Sequence, residues 1–258
     1  MNEVVVEQGC YVVFIGSFNP AIFTPHWLER EGLISRSEAD AAEIEIVHRD
    51  LARFALPGMK FEMVQERFQV FAEAEPFVRL VDIIGQLFIE KMPHIPVKSV
   101  GINYFVHADL TDWKKRLRFG RTIAPLEPWG SFAASFADDY SDQTGGMIDL
   151  TMQAPRPDDL PGVVRVTLQP SNKIPENTGI FIQVNDSFEI ERRETQAPLQ
   201  TREGNKKSKR EKKVEAAETA QPERSSADFG ALFVDNFEAS IDRSRAIVSE
   251  LVELAVKS

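Results

Sequence analysis

The clearest hydrophobic pattern in the chain lies in residues 76–104 and predicts a helix followed by a strand. Apolar residues in 77–88 recur at i, i+3, i+4 and i+7, which is the spacing of an apolar stripe on an α-helix. Proline cannot continue a helix, so we expect the helix to end near Met92, just before Pro93. Residues 97–106 alternate and are rich in β-branched and aromatic types, which predicts a strand packed against that helix.

Similar patterns predict the other elements. A long amphipathic helix is expected over 228–256, and shorter helices over 25–30 and 109–121. The alternation of apolar and polar residues within 60–71 changes phase near Val64, so we expect one long strand with a bulge or bend there. The remaining predicted strands cover 10–15, 43–48, 147–153, 163–169 and 180–184.

These elements favour an α+β fold, with a mainly antiparallel sheet and two long helices packed on one face. Strands followed by a helix occur in both halves of the chain, and this outline suggests a pseudo-duplicated arrangement. We expect residues 1–190 and 227–258 to form a single α+β domain. Residues 191–226 are dense in charged residues and almost free of large apolar ones, so we expect a disordered charged linker there.

Composition and charge limit the partners and the cellular compartment that the sequence predicts. The net charge is −10 and the pI is about 5.0, which argues against general affinity for nucleic acid or for anionic membranes. Cys10 is the only cysteine, so no intrachain disulfide is expected, and it reads as a small buried hydrophobe. With no secretion signal and no apolar run long enough to span a membrane, the sequence predicts a soluble, cytoplasmic protein that does not interact with membranes.

Known catalytic motifs are absent from the sequence. The four histidines have no metal-ligand spacing, and neither a phosphate-binding glycine loop nor a nucleophile elbow occurs. We therefore expect no metal and no cofactor, and the sequence leans against an enzyme. His107 and Asp109 would share one side of the predicted strand if it continues beyond Val106, and Asn103 is a further polar residue of the same region. They are the candidates for a ligand-binding or acid–base cleft near 103–112.

Two basic segments, 114–121 and 202–213, are candidates for contacts with nucleic acid. The second segment falls in the predicted linker. Either segment alternatively reads as an ordinary solvated surface. The first combines aromatic side chains, which stack on bases, with the cations Lys114, Lys115, Arg116, Arg118 and Arg121.

Three tryptophans, Trp27, Trp113 and Trp129, fall in irregular or terminal segments. Each is a candidate interface anchor or, alternatively, a plug for the end of the sheet. The leading hypothesis is a non-enzymatic protein-interaction or regulatory module that forms a homo-oligomer or binds a protein partner. The alternatives are a nucleic-acid-associated protein that uses its basic segments, and a small-ligand-binding or enzymatic cleft near 103–112.

Overall fold

The computed structural model describes residues 4–135, 146–189 and 226–258 and shows the α+β fold that the sequence predicts. Within these ranges nine strands form one sheet in which every pairing is antiparallel. The strands are β1 Val5–Gly16, β2 Glu43–Val47, β3 Leu51–Leu56, β4 Met59–Val64, β5 Arg67–Ala72, β6 Val97–Asp109, β7 Leu150–Pro155, β8 Gly162–Pro170 and β9 Gly179–Glu189. Their order across the sheet is β2-β3-β4-β5-β1-β6-β9-β8-β7.

The helices agree closely with the periodic segments of the sequence. The helix predicted from 77 begins as α3 and continues as a π-helical turn, Gln86–Lys91, before it ends at Met92. No helix in the described ranges is both long enough and apolar enough to cross a membrane. The described residues form five α-helices, α1 Pro25–Arg30, α2 Arg36–Asp40, α3 Val78–Gly85, α4 Trp113–Ile123 and α5 Ser226–Lys257.

The fold repeats one outline twice. In the first half, β1 is followed by α1, α2, the strands β2 to β5, and α3. In the second half, β6 is followed by α4, the strands β7 to β9, and α5. Each half pairs its first strand with its last, and the halves join where β1 pairs with β6. The two longest strands therefore lie side by side at the centre of the sheet.

The prediction of one bulged strand over 60–71 was wrong. Val64 pairs with Arg67, so Gln65 and Glu66 form a two-residue hairpin turn between β4 and β5. A two-residue turn shifts the alternation in the same way as a bulge does, because the buried positions change from odd to even numbers across it. Neither turn residue is a glycine or an asparagine, so the usual hairpin signal is missing.

Phenylalanine rings fill the core between the sheet and the two long helices. The ring of Phe14 on β1 stacks on Phe88 at a centroid distance of 4.2 Å and lies 6.0 Å from the ring of Phe233 on α5. Gly230 allows α5 to approach the π-helical turn closely, because a Cβ there would lie 2.9 Å from Cγ1 of Ile89. The two helices thus pack together on one face of the sheet.

A buried ion network connects the end of β9 to α5. The carboxylate of Asp186, which is fully buried, pairs with the guanidinium groups of Arg156 and Arg243. Arg156 also pairs with Asp158 at 2.5 Å, and its guanidinium carbon lies 3.6 Å from the centre of the Phe188 ring. The hydrogen bond from Arg156 lowers the pKa of Asp158 to about 2. The network fixes the β7–β8 connection against the last helix.

Candidate functional site

The described helices cover one face of the sheet, and no described helix covers the other. The helices pack on the face whose side chains form the hydrophobic core. We call the opposite face, formed by the alternate residues of the strands, the open face. Its central side chains on β5, β1, β6 and β9 are Gln69, Phe71, Tyr11, Val13, Asn103, Phe105, His107, Phe181, Gln183 and Asn185.

The strand register lines these residues up in rows across the sheet. One row runs through Phe71, Tyr11, Asn103, Asn185 and Arg165, which are direct neighbours on five adjacent strands. Aromatic rings join neighbouring rows, because the Phe105 ring lies 6.0 Å from the Phe71 ring and 6.3 Å from the Tyr11 ring. Burial raises the pKa of Tyr11 to about 12, so its hydroxyl stays protonated at neutral pH. The middle of the open face is therefore aromatic and uncharged.

Asn103 fixes the centre of this face. Its Nδ2 donates to the backbone oxygens of Tyr11 and Gly101, both at 3.3 Å. Its Oδ1 accepts from Nδ2 of Asn185 at 2.5 Å and from Nε2 of Gln183 at 3.3 Å. Both amide hydrogens and both lone pairs are used within the sheet. Asn103 thus lies on the open face, but its amide has no group left for a ligand.

His107 lies on the same face, and its tautomer follows from its partner. The hydroxyl of Ser171 accepts hydrogen bonds from the backbone nitrogens of Lys173 at 3.1 Å and Ile174 at 3.2 Å. A hydroxyl has two lone pairs and one proton, so Ser171 must donate its proton to Nδ1 of His107, 2.8 Å away. Nε2 of His107 therefore carries the ring proton.

The surroundings of His107 favour the neutral ring. Burial lowers the pKa of His107, and Lys173 acts in the same direction while Glu7 opposes it. Protonation would also place a second proton between Nδ1 and a Ser171 oxygen whose lone pairs are both occupied. Within the described residues no acceptor is within hydrogen-bond distance of Nε2, and the ring lines a cleft at one end of the open face. His107 is thus a neutral donor at that cleft.

Asp109 has a structural role at the end of β6. Its Oδ1 accepts hydrogen bonds from the hydroxyl of Thr178 at 2.6 Å and from the backbone nitrogen of Thr111 at 2.8 Å. These bonds fix the turn that leads into α4 to the start of β9. Of the three residues predicted for a cleft near 103–112, His107 alone presents a polar group to the cleft.

The basic segment forms α4, and part of its charge is used within the fold. Nε of Arg116, which is buried, donates to the backbone oxygen of Asn177 at 2.8 Å, and burial lowers its pKa. Arg118 donates to the backbone oxygen of Ser258. Lys114 and Arg118 are exposed, whereas Lys115 and Arg121 are half-buried. The other basic stretch, 202–213, and the predicted linker as a whole lie outside the described residues.

The three tryptophans have different surroundings. Trp27 is half-buried in α1, and its ring lies 6.1 Å from Phe23 in the core. Trp113 is half-buried at the start of α4, with Nζ of Lys114 5.7 Å from the centre of its ring. Trp129 is 58% exposed and lies 6.1 Å from the equally exposed ring of Phe132. Trp129 therefore remains the best interface candidate of the three.

The two outer strands of the sheet differ from its centre. Every residue of β2 is exposed, including Ile44 and Ile46. A register shift between these two isoleucines bends the strand, which weakens its ability to pair with another strand. The opposite edge, β7, is also exposed and ends at Pro155, which has no amide proton to donate.

A second cavity, of about 500 Å³, lies between α3 and the turn that precedes α2. Three of its polar side chains, those of Ser35, Glu38 and Arg79, have partners within the fold. Ser35 and Glu38 form a capping box at the start of α2, and Glu38 pairs with Arg79 on α3. The arrangement explains how α2 is attached to α3.

The open face contains residues that the sequence interpretation missed, chiefly Tyr11, Phe71, Phe181 and Gln183. For Phe181 and Gln183, the sequence signal is the alternation in β9, where Phe181, Gln183 and Asn185 are interleaved with buried aliphatic residues. Such polar and aromatic positions form a continuous surface only after distant strands pair. Sequence proximity therefore identified His107 but not its neighbours.

No protein-family model matches this chain, and no curated protein is similar to it in sequence. In the part of the chain that the structure describes, no three histidine, cysteine, aspartate or glutamate side chains are grouped so that they could hold a metal ion. The function must therefore be inferred from the open face and its cleft.

Proposed function

We propose that this chain is a protein-interaction module that self-assembles by docking the open face onto the open face of a second copy. The observation that carries the proposal is the aromatic and amide-rich centre of the sheet, which no described helix covers. The five central strands hold 6 to 13 residues each, and at about 3.4 Å per residue and about 4.8 Å between strands they offer about 830 Å² of surface. A standard protein interface uses about 800 Å² per partner, so the open face is large enough.

The composition of the open face resembles the layout of a protein interface. Aromatic residues occupy its middle, and charged residues are found toward its margins, as in the core and rim of known interfaces. On the β3–β5 side the charges are already paired, since Arg53 lies 2.7 Å from Glu62, which also pairs with Arg67. Such rim pairs contribute little binding energy but exclude wrong partners.

The central residues suit contact with their own copies. In a two-fold interface, residues near the axis meet the same residues of the partner, so charged groups there would repel. Amide side chains both donate and accept hydrogen bonds, and aromatic rings pack on like rings. Asn185, Gln183, Gln69 and Phe71 are all of these types. The centre of the open face is thus self-complementary.

The charge of the open face also favours a second copy. Two chains with a net charge of −10 each repel one another unless they meet through a neutral surface. The cations Arg53, Lys60 and Lys173 at the margins of the open face each pair with a carboxylate, Arg53 with Glu45 and Glu62, Lys60 with Glu73, and Lys173 with Glu7. The central side chains between them are uncharged.

Sedimentation equilibrium tests the proposal. The wild-type chain should sediment as a dimer at micromolar concentration, whereas Val13→Lys should be a monomer because it places a charge at the centre of the open face. The matched control is Ile44→Lys, which changes an exposed aliphatic residue of β2 to the same cation. Circular dichroism and thermal melting establish that each variant is folded.

Two results would overturn self-assembly through the open face. One is a wild-type chain that stays monomeric at the highest concentration reached. The other is a dimer that Ile44→Lys disrupts and Val13→Lys leaves intact, which would assign the contact to the β2 edge.

A further inference from the structure

A cleft of about 400 Å³ lies at one end of the open face, where β1, β6 and β9 meet the turn after β8. Its volume falls within the range of small-molecule sites, about 300–1,000 Å³. The lining residues that bear on its chemistry are Glu7, Tyr11, Phe105, His107, Lys173 and Phe181.

Aromatic rings form the walls of the cleft. The His107 ring lies 4.8 Å from the Phe181 ring, and Phe105 lies 5.9 Å from each of them. Tyr11 and Phe181 are half-buried, so parts of both rings face the cleft. Aromatic walls favour a flat, unsaturated ring, because such rings stack on one another or pack edge to face.

Two opposite charges stand at the rim. Nζ of Lys173 lies 3.8 Å from Oε2 of Glu7, and their side chains are 56% and 41% exposed. A pair this exposed contributes little to folding, so either partner readily accepts a ligand group instead. A ligand with a single charge would leave one rim charge without a partner. A zwitterion whose two charges are adjacent satisfies both.

We infer that this cleft binds a small aromatic zwitterion, of the class of the free aromatic amino acids. The ring lies against Phe181 and Phe105, the carboxylate pairs with Lys173, and the ammonium group pairs with Glu7. Nε2–H of His107 donates to an acceptor atom of the ligand. The cleft shares Tyr11, Phe105, His107 and Phe181 with the open face, so a docked second copy would compete with the ligand. The inference itself rests on the cleft of a single chain and does not need self-assembly.

Isothermal titration calorimetry with L-phenylalanine and L-tryptophan tests the inference. We expect saturable binding of either amino acid, with a ratio of one ligand per chain. Phenylalanine amide, 3-phenylpropionate and leucine lack the carboxylate, the ammonium and the ring, respectively, and each should bind at least tenfold more weakly, which corresponds to about 1.4 kcal/mol.

Substitutions at the rim give the second part of the test. Lys173→Gln and Glu7→Gln should each weaken L-phenylalanine binding about tenfold. Lys98→Gln is the matched control, because Lys98 is exposed on β6 outside the cleft. The Val13→Lys variant should bind L-phenylalanine at least as tightly as the wild-type chain does, because Val13 does not line the cleft and a docked second copy would compete with the ligand.

Three results would overturn the inference. The first is the absence of binding at millimolar concentrations of both amino acids. The second is equal affinity for L-phenylalanine and for phenylalanine amide or 3-phenylpropionate, which would leave the rim charges without a role. The third is binding that Lys173→Gln and Lys98→Gln affect equally.

Discussion

At the scale of single residues, the Ser171 hydroxyl determines the state of His107. Two backbone amides occupy the lone pairs of Ser171, so its proton goes to Nδ1 of the imidazole. A histidine placed in this way resists protonation. The folded state then binds fewer protons at this site than the unfolded state does.

The first prediction concerns the pH dependence of stability. The pKa of His107 is lowered from 6.5 in the folded chain, so its contribution is fully present above about pH 6.5 and is lost as the pH falls through the folded pKa. His107→Gln, which cannot be protonated, should lose less free energy of unfolding between about pH 7.5 and 5.5 than the wild-type chain does. Urea unfolding at both pH values measures the difference.

Nitrogen-detected NMR of the imidazole ring provides an independent check on the same residue. The wild-type ring should show the Nε2–H tautomer at neutral pH, and Ser171→Ala should relax this preference. A wild-type ring protonated on Nδ1 would contradict the assigned direction of the Ser171 hydrogen bond.

At the scale of elements, the ion network around Arg156 attaches the second half of the sheet to α5. The second prediction is that Arg156→Met lowers the free energy of unfolding by about 3–5 kcal/mol, because it leaves the Asp186 carboxylate buried with fewer partners. Chemical denaturation at neutral pH measures the loss. Combining Arg156→Met with Asp186→Leu should recover part of it, since the buried charge is then removed.

Arg165→Met is the matched control for this network. Arg165 is exposed on β8 and its hydrogen bond is to Gln153 of β7, so its substitution should change stability by about 0.5 kcal/mol or less. Equal losses in the Arg156 and Arg165 variants would show that the buried network has no special role.

Gly162 at the start of β8 gives the third prediction. Its φ is +140°, and a Cβ there would lie 1.9 Å from the backbone oxygen of Ser187 on β9. Gly162→Ala should therefore lower stability by about 3 kcal/mol or more. Gly32→Ala tests the backbone effect alone, because Gly32 has a φ of +78° and no atom lies within 4 Å of the added Cβ. The expected loss in the free energy of unfolding is therefore only about 1 kcal/mol. Similar melting temperatures for the two variants would contradict the steric argument.

Local periodicity explains which elements were predictable. The apolar stripes of α3 and α5 and the meander β7 to β9 are visible in the sequence because each involves neighbouring residues. The β4–β5 hairpin was missed, because Gln65 and Glu66 carry no turn signal. The strand order was not predicted either, since β1 and β6 pair across about 90 residues and no local pattern records which distant strands meet.

The site was predictable to the same limited extent. Alternation suggested that His107 and Asp109 share one side of a strand, and Asn103 was named beside them as a polar candidate. In β6 all three residues lie on the open face. Sequence spacing did not reveal that hydrogen bonds within the fold use the polar groups of Asn103 and Asp109. Tyr11 and Phe181 join His107 at the cleft only through the pairing of β1, β6 and β9.

At the scale of the whole molecule, the five described helices pack on one side of a nine-stranded sheet, and the centre of the opposite face is uncharged on an acidic chain. An uncharged centre would favour two copies that meet here over contacts between acidic surfaces. The proposed ligand cleft lies at the end of the same face, so the ligand and a second copy would compete.

Mixing two opposite-charge variants tests self-docking of the open face most directly. Val13→Lys and Val13→Glu should each be monomeric, because like charges near the two-fold axis repel. An equimolar mixture of the two should restore the dimer mass in sedimentation equilibrium, since the lysine of one copy then faces the glutamate of the other. Of the three variant samples, the proposal predicts a dimer only in the mixture. A mixture that stays monomeric, beside a wild-type chain that is dimeric, would contradict it.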